Sequence, residues 1–325
     1  MTAYLLRRGG QTILTLLVMS ILVFVGVYLV GNPVDVMISA AATPQERTDL
    51  IVRMGLDQPV WVQYWHFLKG ALSGDLGNSF LYNRPALGLI FERMPATLEL
   101  AFSALFLGLV VGIPLGVVAG LRPSRPESRG IMAFSILGFS LPTFWVGLMM
   151  ILLFAVKLDI LPASGRGETV NVLGVPLSFL TGDGLSHIFL PALNLALFKI
   201  SLVIRLTRAG VSEALQSEYV RFARAKGLSE WRIVFLHVLK NTLIPLITVI
   251  GLELGALIAF AVVTETIFSW PGMGKLIIDA ITTLDRPVIL AYLMITVLMF
   301  TVINLIVDLT YTLVDPRIKI DGGSE

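Results

Sequence analysis

EYVRFARAKGLSEWRIVFLHVLKNTLIP, residues Glu218 to Pro245, is a charged segment set between two long apolar stretches, and its reading decides how the rest of the chain is understood. Tyr219, Phe222, Ala223 and Lys226 recur at helical spacings, which gathers an aromatic face beside a basic one. Gly227 suits the position just past a helix C-terminus, and Ser229 suits the N-cap of a following helix. The spacing therefore predicts two short helices at an angle, the second running through Trp231 and Phe235 toward Lys240. An amphipathic hairpin lying on a membrane surface shares part of this pattern. A segment this long and this patterned, in a chain that otherwise keeps such loops short, predicts a docking surface.

Outward from that segment the chain is apolar. Of its 325 residues 56% are hydrophobic and 14% charged, against ~25% charged in an average soluble domain, so lipid is its main solvent. Six stretches, 9–30, 97–121, 131–156, 187–207, 242–266 and 288–314, reach the roughly 20 apolar residues needed to cross a bilayer. The expected fold is all-α: a polytopic membrane protein with six transmembrane helices. Residues 1–96 supply the first helix (9–30) and a long outer loop. Residues 97–325 supply a five-helix core interrupted by the cytoplasmic segment at 212–241.

Lys and Arg placement sets the orientation, because basic residues resist translocation. With the N-terminus inside, 13 of the 24 Lys and Arg fall in four short inner segments, which hold Arg7 and Arg8, Arg122 to Arg129, Arg208 to Lys240, and Arg317 with Lys319. Nine lie in outer loops, and Lys199 and Arg205 lie within the fourth span. Both termini are expected to be cytoplasmic. The first span starts like a signal sequence, but its apolar run is too long for one and Ala40–Ala41–Ala42 lies too far downstream for ordinary cleavage, so it is read as retained.

Several further patterns constrain the spans and loops. In the first outer loop Val60, Trp61, Tyr64, Trp65, Leu68 and Leu72 predict an interfacial helix, with Pro59 in its first turn. Gly108, Gly112, Gly116 and Gly120 place a glycine on every fourth residue of the second span, a stripe that lets another helix approach closely, and Gly251 and Gly255 repeat it more weakly in the fifth. The loops near 157–186 and 267–287 are turn-rich. Lys199 and Glu253 fall near mid-membrane in adjacent spans and are expected either to pair or to line a shared aqueous pathway. Asn194 is a candidate interhelical hydrogen-bond donor on the same pathway. Arg205 and Asp308, near inner span ends, and Glu99 and Glu265, near outer ones, are assigned structural roles.

Catalytic chemistry is not expected. Gly272–Met273–Gly274–Lys275–Leu276 lacks a glycine at Ser269 and a hydroxyl at Leu276, so it is not a phosphate loop. His66, His187 and His237 lie in different segments without metal-ligand spacing, there is no cysteine, and no metal site is expected. No nucleophile elbow is present. If transport is driven by ATP, hydrolysis occurs on another subunit.

At Ala223–Arg224–Ala225–Lys226–Gly227–Leu228–Ser229–Glu230 the sequence resembles the permease subunits of bacterial ATP-binding-cassette importers in their dipeptide, oligopeptide and nickel branch, and the segment looks like that family's EAA loop. Ala223, Gly227 and Leu239 match the general pattern, while Arg221–Phe222 replaces Glu–Ala and Lys240 replaces the proline. Those departures resemble the first of the branch's two permeases. Gly55–Leu56–Asp57–Gln58–Pro59, Gly74–Asp75–Leu76–Gly77, Pro95–Ala96–Thr97–Leu98–Glu99, Leu161–Pro162–Ala163–Ser164–Gly165, Phe268–Ser269–Trp270–Pro271–Gly272 and Asp315–Pro316–Arg317 extend the resemblance over nearly the whole chain.

The resemblance implies a type I importer permease fold in a bacterial inner membrane. It implies a coupling helix carrying Glu218, Tyr219, Phe222, Ala223, Ala225, Lys226, Gly227, Leu228, Ser229 and Trp231, inserted into a groove of a cytoplasmic ATPase. It also implies a second homologous permease, two ATPases that bind ATP and Mg, and a periplasmic substrate-binding protein, with no cofactor on this chain and no nucleic-acid partner. Peptides, nickel, glutathione and oligosaccharides all remain open as substrates. The competing readings are a self-sufficient secondary transporter or channel using Lys199 and Glu253 as an ion relay, and a purely structural membrane scaffold.

Overall fold

The computed structural model describes residues 2–31, 33–34, 38 and 43–314. Ala40–Ala41–Ala42, Asp315–Pro316–Arg317, Lys319 and the Asp308 side chain lie outside the described residues. The helices, in chain order, are α1 (Thr2–Val30), α2 (Pro44–Arg53), α3 (Val60–Leu72), α4 (Ala86–Leu121), α5 (Pro126–Ser140), α6 (Thr143–Met150), α7 (Gly182–Leu215), α8 (Glu218–Ala225), α9 (Glu230–Arg232), α10 (Leu239–Ile267), α11 (Met273–Thr282) and α12 (Arg286–Val314). Two π-helical stretches continue this series: Ile151–Lys157 extends α6, and Ile233–Val238 joins α9 to α10.

Among the described residues four stretches are long and apolar enough to cross a bilayer: Gly9–Tyr28, Ala86–Leu121, Gly182–Leu215 and Arg286–Val307. The third expected span, 131–156, is not one rod. It divides into α5 and the α6–π segment, bent by 104°. The cause is Pro142, whose ring disfavours helical backbone at the residue before it; Leu141 accordingly adopts φ −82° and ψ 136° and ends α5. The fifth expected span, 242–266, lies within the 29 residues of α10.

Contacts group the described residues into two units, 2–95 with 271–302, and 96–270 with 303–314. The first of these units thus joins a stretch from late in the chain, 271–302, to the N-terminal residues. Within that unit, α3 packs on α1 through the rings of Phe24, Tyr64 and Phe67, and Tyr64 shares a hydrogen bond with Ser20. Trp61 and Trp65 stay exposed, as an interfacial helix requires, and Pro59 stands at the N-cap, just outside the first turn. The helix α2 opens with a capping box in which Thr43 and Glu46 satisfy each other's backbone N–H groups. Those bonds hold the Glu46 carboxyl below its usual range. Asp285, fully enclosed, accepts from Ser79 Oγ and from the Phe80 and Leu81 amides at 3.1 and 3.3 Å, pinning the loop before α4.

In the second unit the glycine stripe explains a close helix pair. A Cβ at Gly112, Gly116 or Gly120 would stand 2.7, 2.5 or 2.8 Å from the Cβ atoms of Val203, Thr207 and Val211. Four-residue steps on α4 thus meet four-residue steps on α7, and only glycine admits that approach. Gly251 packs likewise against Val307, and Gly255 is buried.

The expectation of a purely helical chain needs one correction. Val170–Val172 and Val175–Leu177 pair as an antiparallel hairpin, turned by Leu173 and Gly174 at φ 52° and 85°. Two central residues with positive φ match the twist of a tight hairpin.

Candidate functional site

The segment between α7 and α10 is built in two layers. Its inner layer is a small apolar core in which Val220 and Ala223 of α8 pack with Val211 and Ala214 of α7 and with Ile233 and Val238 of the π stretch. Val117 and Leu121 at the end of α4 close it from one side. The spacing from Val220 to Ala223 puts both on one helical face, which fixes how α8 sits. Ala223, grouped from sequence with the docking residues, is therefore only 5% exposed and belongs to the segment's own core.

The outer layer is left uncovered. Tyr219, Ala225, Lys226, Gly227, Ser229 and Glu218 are exposed, and Phe222 and Trp231 are 61% and 72% exposed. Leu228 is half-buried, packed against the inner core. Lys226 Nζ stands 4.5 Å from the Phe222 ring centre, and the Trp231 and Phe235 rings lie 3.9 Å apart. Uncovered Tyr, Phe and Trp rings are the side chains enriched at protein interfaces, with the lysine beside them suited to a polar rim.

Between the layers runs a turn of fixed geometry. Gly227, at φ 78°, ends α8; its N–H donates to the Arg224 carbonyl at 2.9 Å, and the Leu228 N–H donates to the Ala223 carbonyl at 3.3 Å. Those two bonds are the Schellman arrangement, which needs a residue free to adopt left-handed backbone. Arg224 donates twice across the turn to Glu230, at 2.8 and 3.1 Å. That pairing holds the Glu230 carboxyl below its usual range and raises the Arg224 guanidinium above its own. Ser229 is the N-cap of α9 through its backbone; the Ile233 N–H donates to its carbonyl at 3.0 Å. From Glu230 the helical path continues through the π stretch into α10 without a break.

Two sequence candidates meet deeper in the same unit, and a third makes a separate contact between the same two helices. Lys199 Nζ of α7 is ion-paired with Glu253 of α10, the lysine buried and the carboxylate partly so. The pair is walled by Leu105, Leu202, Val203 and Leu246 around a void of about 10 Å³, near the least that holds one water. Asn194, also on α7, donates from Nδ2 to Thr264 Oγ1 at 3.2 Å, and its Oδ1 is buried without a partner.

Sequence reading did not anticipate the Glu99 cluster. The Glu99 side chain, 1% exposed, accepts from Arg166 Nη2 at 2.6 Å, Ser178 N and Oγ at 2.6 and 2.8 Å, and Phe179 N at 2.9 Å. Arg166 also caps the Pro176 carbonyl at 2.6 Å and faces the Trp270 ring at 5.7 Å. Nearby, Thr97 donates to Glu265 at 2.6 Å and Trp270 Nε1 to the Ala96 carbonyl at 2.9 Å. The signal was present as an arginine between two glycines in a loop and a carboxylate at a span end, but nothing in their spacing joins them. Among the described residues no cluster of His, Asp and Glu is arranged to hold a metal.

Comparison with known proteins gives a consistent result. Residues 112–320 match the family described as binding-protein-dependent transport system inner membrane component, and residues 1–101 match its N-terminal companion. The chain is 36% identical over 337 residues to the dipeptide transport system permease protein DppB of Escherichia coli K12, covering 98% of this chain and 99% of that one. It is 40% identical over 306 residues to the probable D,D-dipeptide transport system permease protein DdpB of the same organism, covering 90% of each. Among solved structures, an inward-facing MetNI methionine ABC transporter aligns with a TM-score of 0.54 at 18% identity, covering 70% of this chain and 96% of that one. That likeness concerns the fold.

Proposed function

Because this chain belongs to the binding-protein-dependent transport inner-membrane family, we propose that it is the permease subunit of an ATP-driven importer for peptides or a similar small solute. Peptides lead because two relatives similar over nearly their full length carry dipeptide transport in their names. In this reading the chain spans a bacterial inner membrane six times with both termini cytoplasmic. It pairs with a second homologous permease, receives its solute from a periplasmic binding protein, and is driven by two cytoplasmic ATPases that hold ATP and Mg. The chain itself carries no cofactor and performs no hydrolysis.

The observation that carries the proposal is the two-layered segment at 218–238. An apolar core fixes α8 to α7 and to the rod leading into α10, while Tyr219, Phe222, Lys226 and Trp231 face outward without cover. A groove on an ATPase that accepted those side chains would hold α8 as a rigid body. Closure of the ATPases would then move α7 and α10 together, and a tilt of these spans exchanges access between the two faces of the membrane. Lys199 and Glu253 bridge those two spans. We assign the pair to holding one arrangement of the pathway, with Asn194 on the same helix as a second polar contact. The surrounding apolar walls and minimal void give no support to an ion relay.

Reconstitution of the chain with its companion permease, ATPases and binding protein tests this. ATP hydrolysis should rise only with solute-loaded binding protein, and a panel of peptides, nickel, glutathione and oligosaccharides identifies the solute. Uptake into proteoliposomes by this chain alone would contradict the proposal.

A further inference from the structure

The N-terminal unit holds a cavity of about 580 Å³ that the transport reading does not use. Its size lies within the range of roughly 300–1,000 Å³ typical of small-ligand sites. Its apolar lining includes Phe24 and Val27 of α1, Phe67 of α3 and Leu290 of α12. The polar lining is Arg286, Asp75, Gln58, Gln63 and His66.

Arg286 is an incompletely satisfied cation. Its Nη2 donates to the Gly31 carbonyl at 2.6 Å and its guanidinium faces the Tyr28 ring at 5.1 Å, which fixes its plane. Its Nε is enclosed yet has no acceptor, and no carboxylate among the described residues forms an ion pair with it. The guanidinium is only partly buried and held by that one side-chain hydrogen bond, so its remaining η N–H groups are free to take an anionic oxygen, most of all a phosphate's. Asp75 is exposed and spends one oxygen on the Gly77 N–H at 2.9 Å, which leaves its negative charge to attract an ammonium.

We propose that this cavity is a phospholipid site, in which Arg286 takes the phosphodiester, Asp75 takes the ammonium of an ethanolamine headgroup, and an acyl chain lies along Phe24, Val27 and Leu290. A zwitterionic peptide offers the same two charges but no acyl chain to lie along Phe24, Val27 and Leu290. The lipid is favoured by location as well. Phe24, Val27 and Tyr28 of the lining end the apolar stretch Gly9–Tyr28, which is long enough to cross a bilayer, and α3, which supplies Phe67, exposes Trp61 and Trp65 as suits headgroup depth.

The test uses the full chain purified in detergent and stripped of lipid. Binding is read by native mass spectrometry and thermal unfolding with phosphatidylethanolamine, phosphatidylglycerol, inorganic phosphate or a dipeptide. Phosphatidylethanolamine should bind and raise the Tm; Arg286→Gln should weaken both lipids at least 10-fold, and Asp75→Asn should weaken the ethanolamine lipid alone. Leu290→Trp, which fills the cavity from its apolar side without touching the charges, should also abolish retention and serves if Arg286→Gln does not fold. Equal lipid retention by wild type, Arg286→Gln and Leu290→Trp would overturn the proposal. So would saturable binding of the dipeptide, or of inorganic phosphate alone, with no lipid effect.

Discussion

The Glu99 cluster and the segment at 218–238 both bring charges and aromatic rings together, but they leave opposite balances. Around Glu99 the hydrogen-bonding capacity of a buried carboxylate is spent inside the chain on Arg166, Ser178 and Phe179. At the segment, the chain spends its apolar contacts inward through Val220 and Ala223 and leaves Phe222 and Trp231 bare. A site that closes its own account is built to hold a loop in place. A site with a rigid base and an unsatisfied face is built to be held by something else.

The comparison breaks most visibly at the saturated site. Glu99→Gln leaves Arg166 without its charge partner, and removing one member of a buried pair costs about 3–5 kcal/mol. Thermal unfolding in detergent should show a large fall in Tm, together with proteolysis in the 157–181 loop. A variant as stable as the wild type would mean the cluster is incidental.

Next in size is Ala223→Glu, which drives a carboxylate into the inner layer of the segment. Burial of an unpaired charge and overpacking together predict a loss of several kcal/mol of local stability. Hydrogen exchange across 218–238 should accelerate while the glycine-striped α4–α7 pair stays protected. Unchanged exchange would show that Ala223 faces outward after all.

These two positions also show what the sequence makes legible. The glycines at 108, 112, 116 and 120 announce a close helix contact because only absent side chains permit one, and Gly227 announces the end of α8 because few residues tolerate its backbone. The partners of such signals are not announced. Val203, Thr207 and Val211 resemble any lipid-facing residues until the register of α7 is known, and Arg166 finds Glu99 only through the hairpin. The bend at Pro142 was hidden by the apolar run on either side of it, and Leu173 gave no sign of the positive φ that turns the hairpin. The burial of Ala223 is hidden for a related reason: helical spacing joins it to Phe222 and Lys226, and only the packing of Val220 shows which face turns inward.

A smaller effect is expected at Lys199 and Glu253, which are ion-paired across two spans. Reversing either charge alone should impair solute-stimulated ATP hydrolysis, and the double reversal Lys199→Glu with Glu253→Lys should recover part of it. No recovery in the double variant would end the direct-pairing account.

The smallest effect concerns Glu230. Its carboxyl is held below the ordinary value of 4.5 by Arg224, so the folded state binds its proton more weakly than the unfolded state. The stabilisation is therefore present above pH 4.5 and is lost as pH falls through the lowered value. Backbone exchange at Lys226 to Ser229 should speed up modestly over that acid window in the wild type and lose this pH dependence in Glu230→Gln. Identical profiles would remove the ion pair from the turn's stabilisation.

The central claim, that the bare face of the segment is the grip of an ATPase, is tested by measuring association of the ATPase subunits with the permease pair carrying Phe222→Ala and Trp231→Ala in this chain. Interface anchors of this kind cost about 2 kcal/mol or more each on truncation, so with both removed Kd should weaken on the order of 1,000-fold while Tm stays at the wild-type value. Undiminished association with a stable double variant would contradict the account.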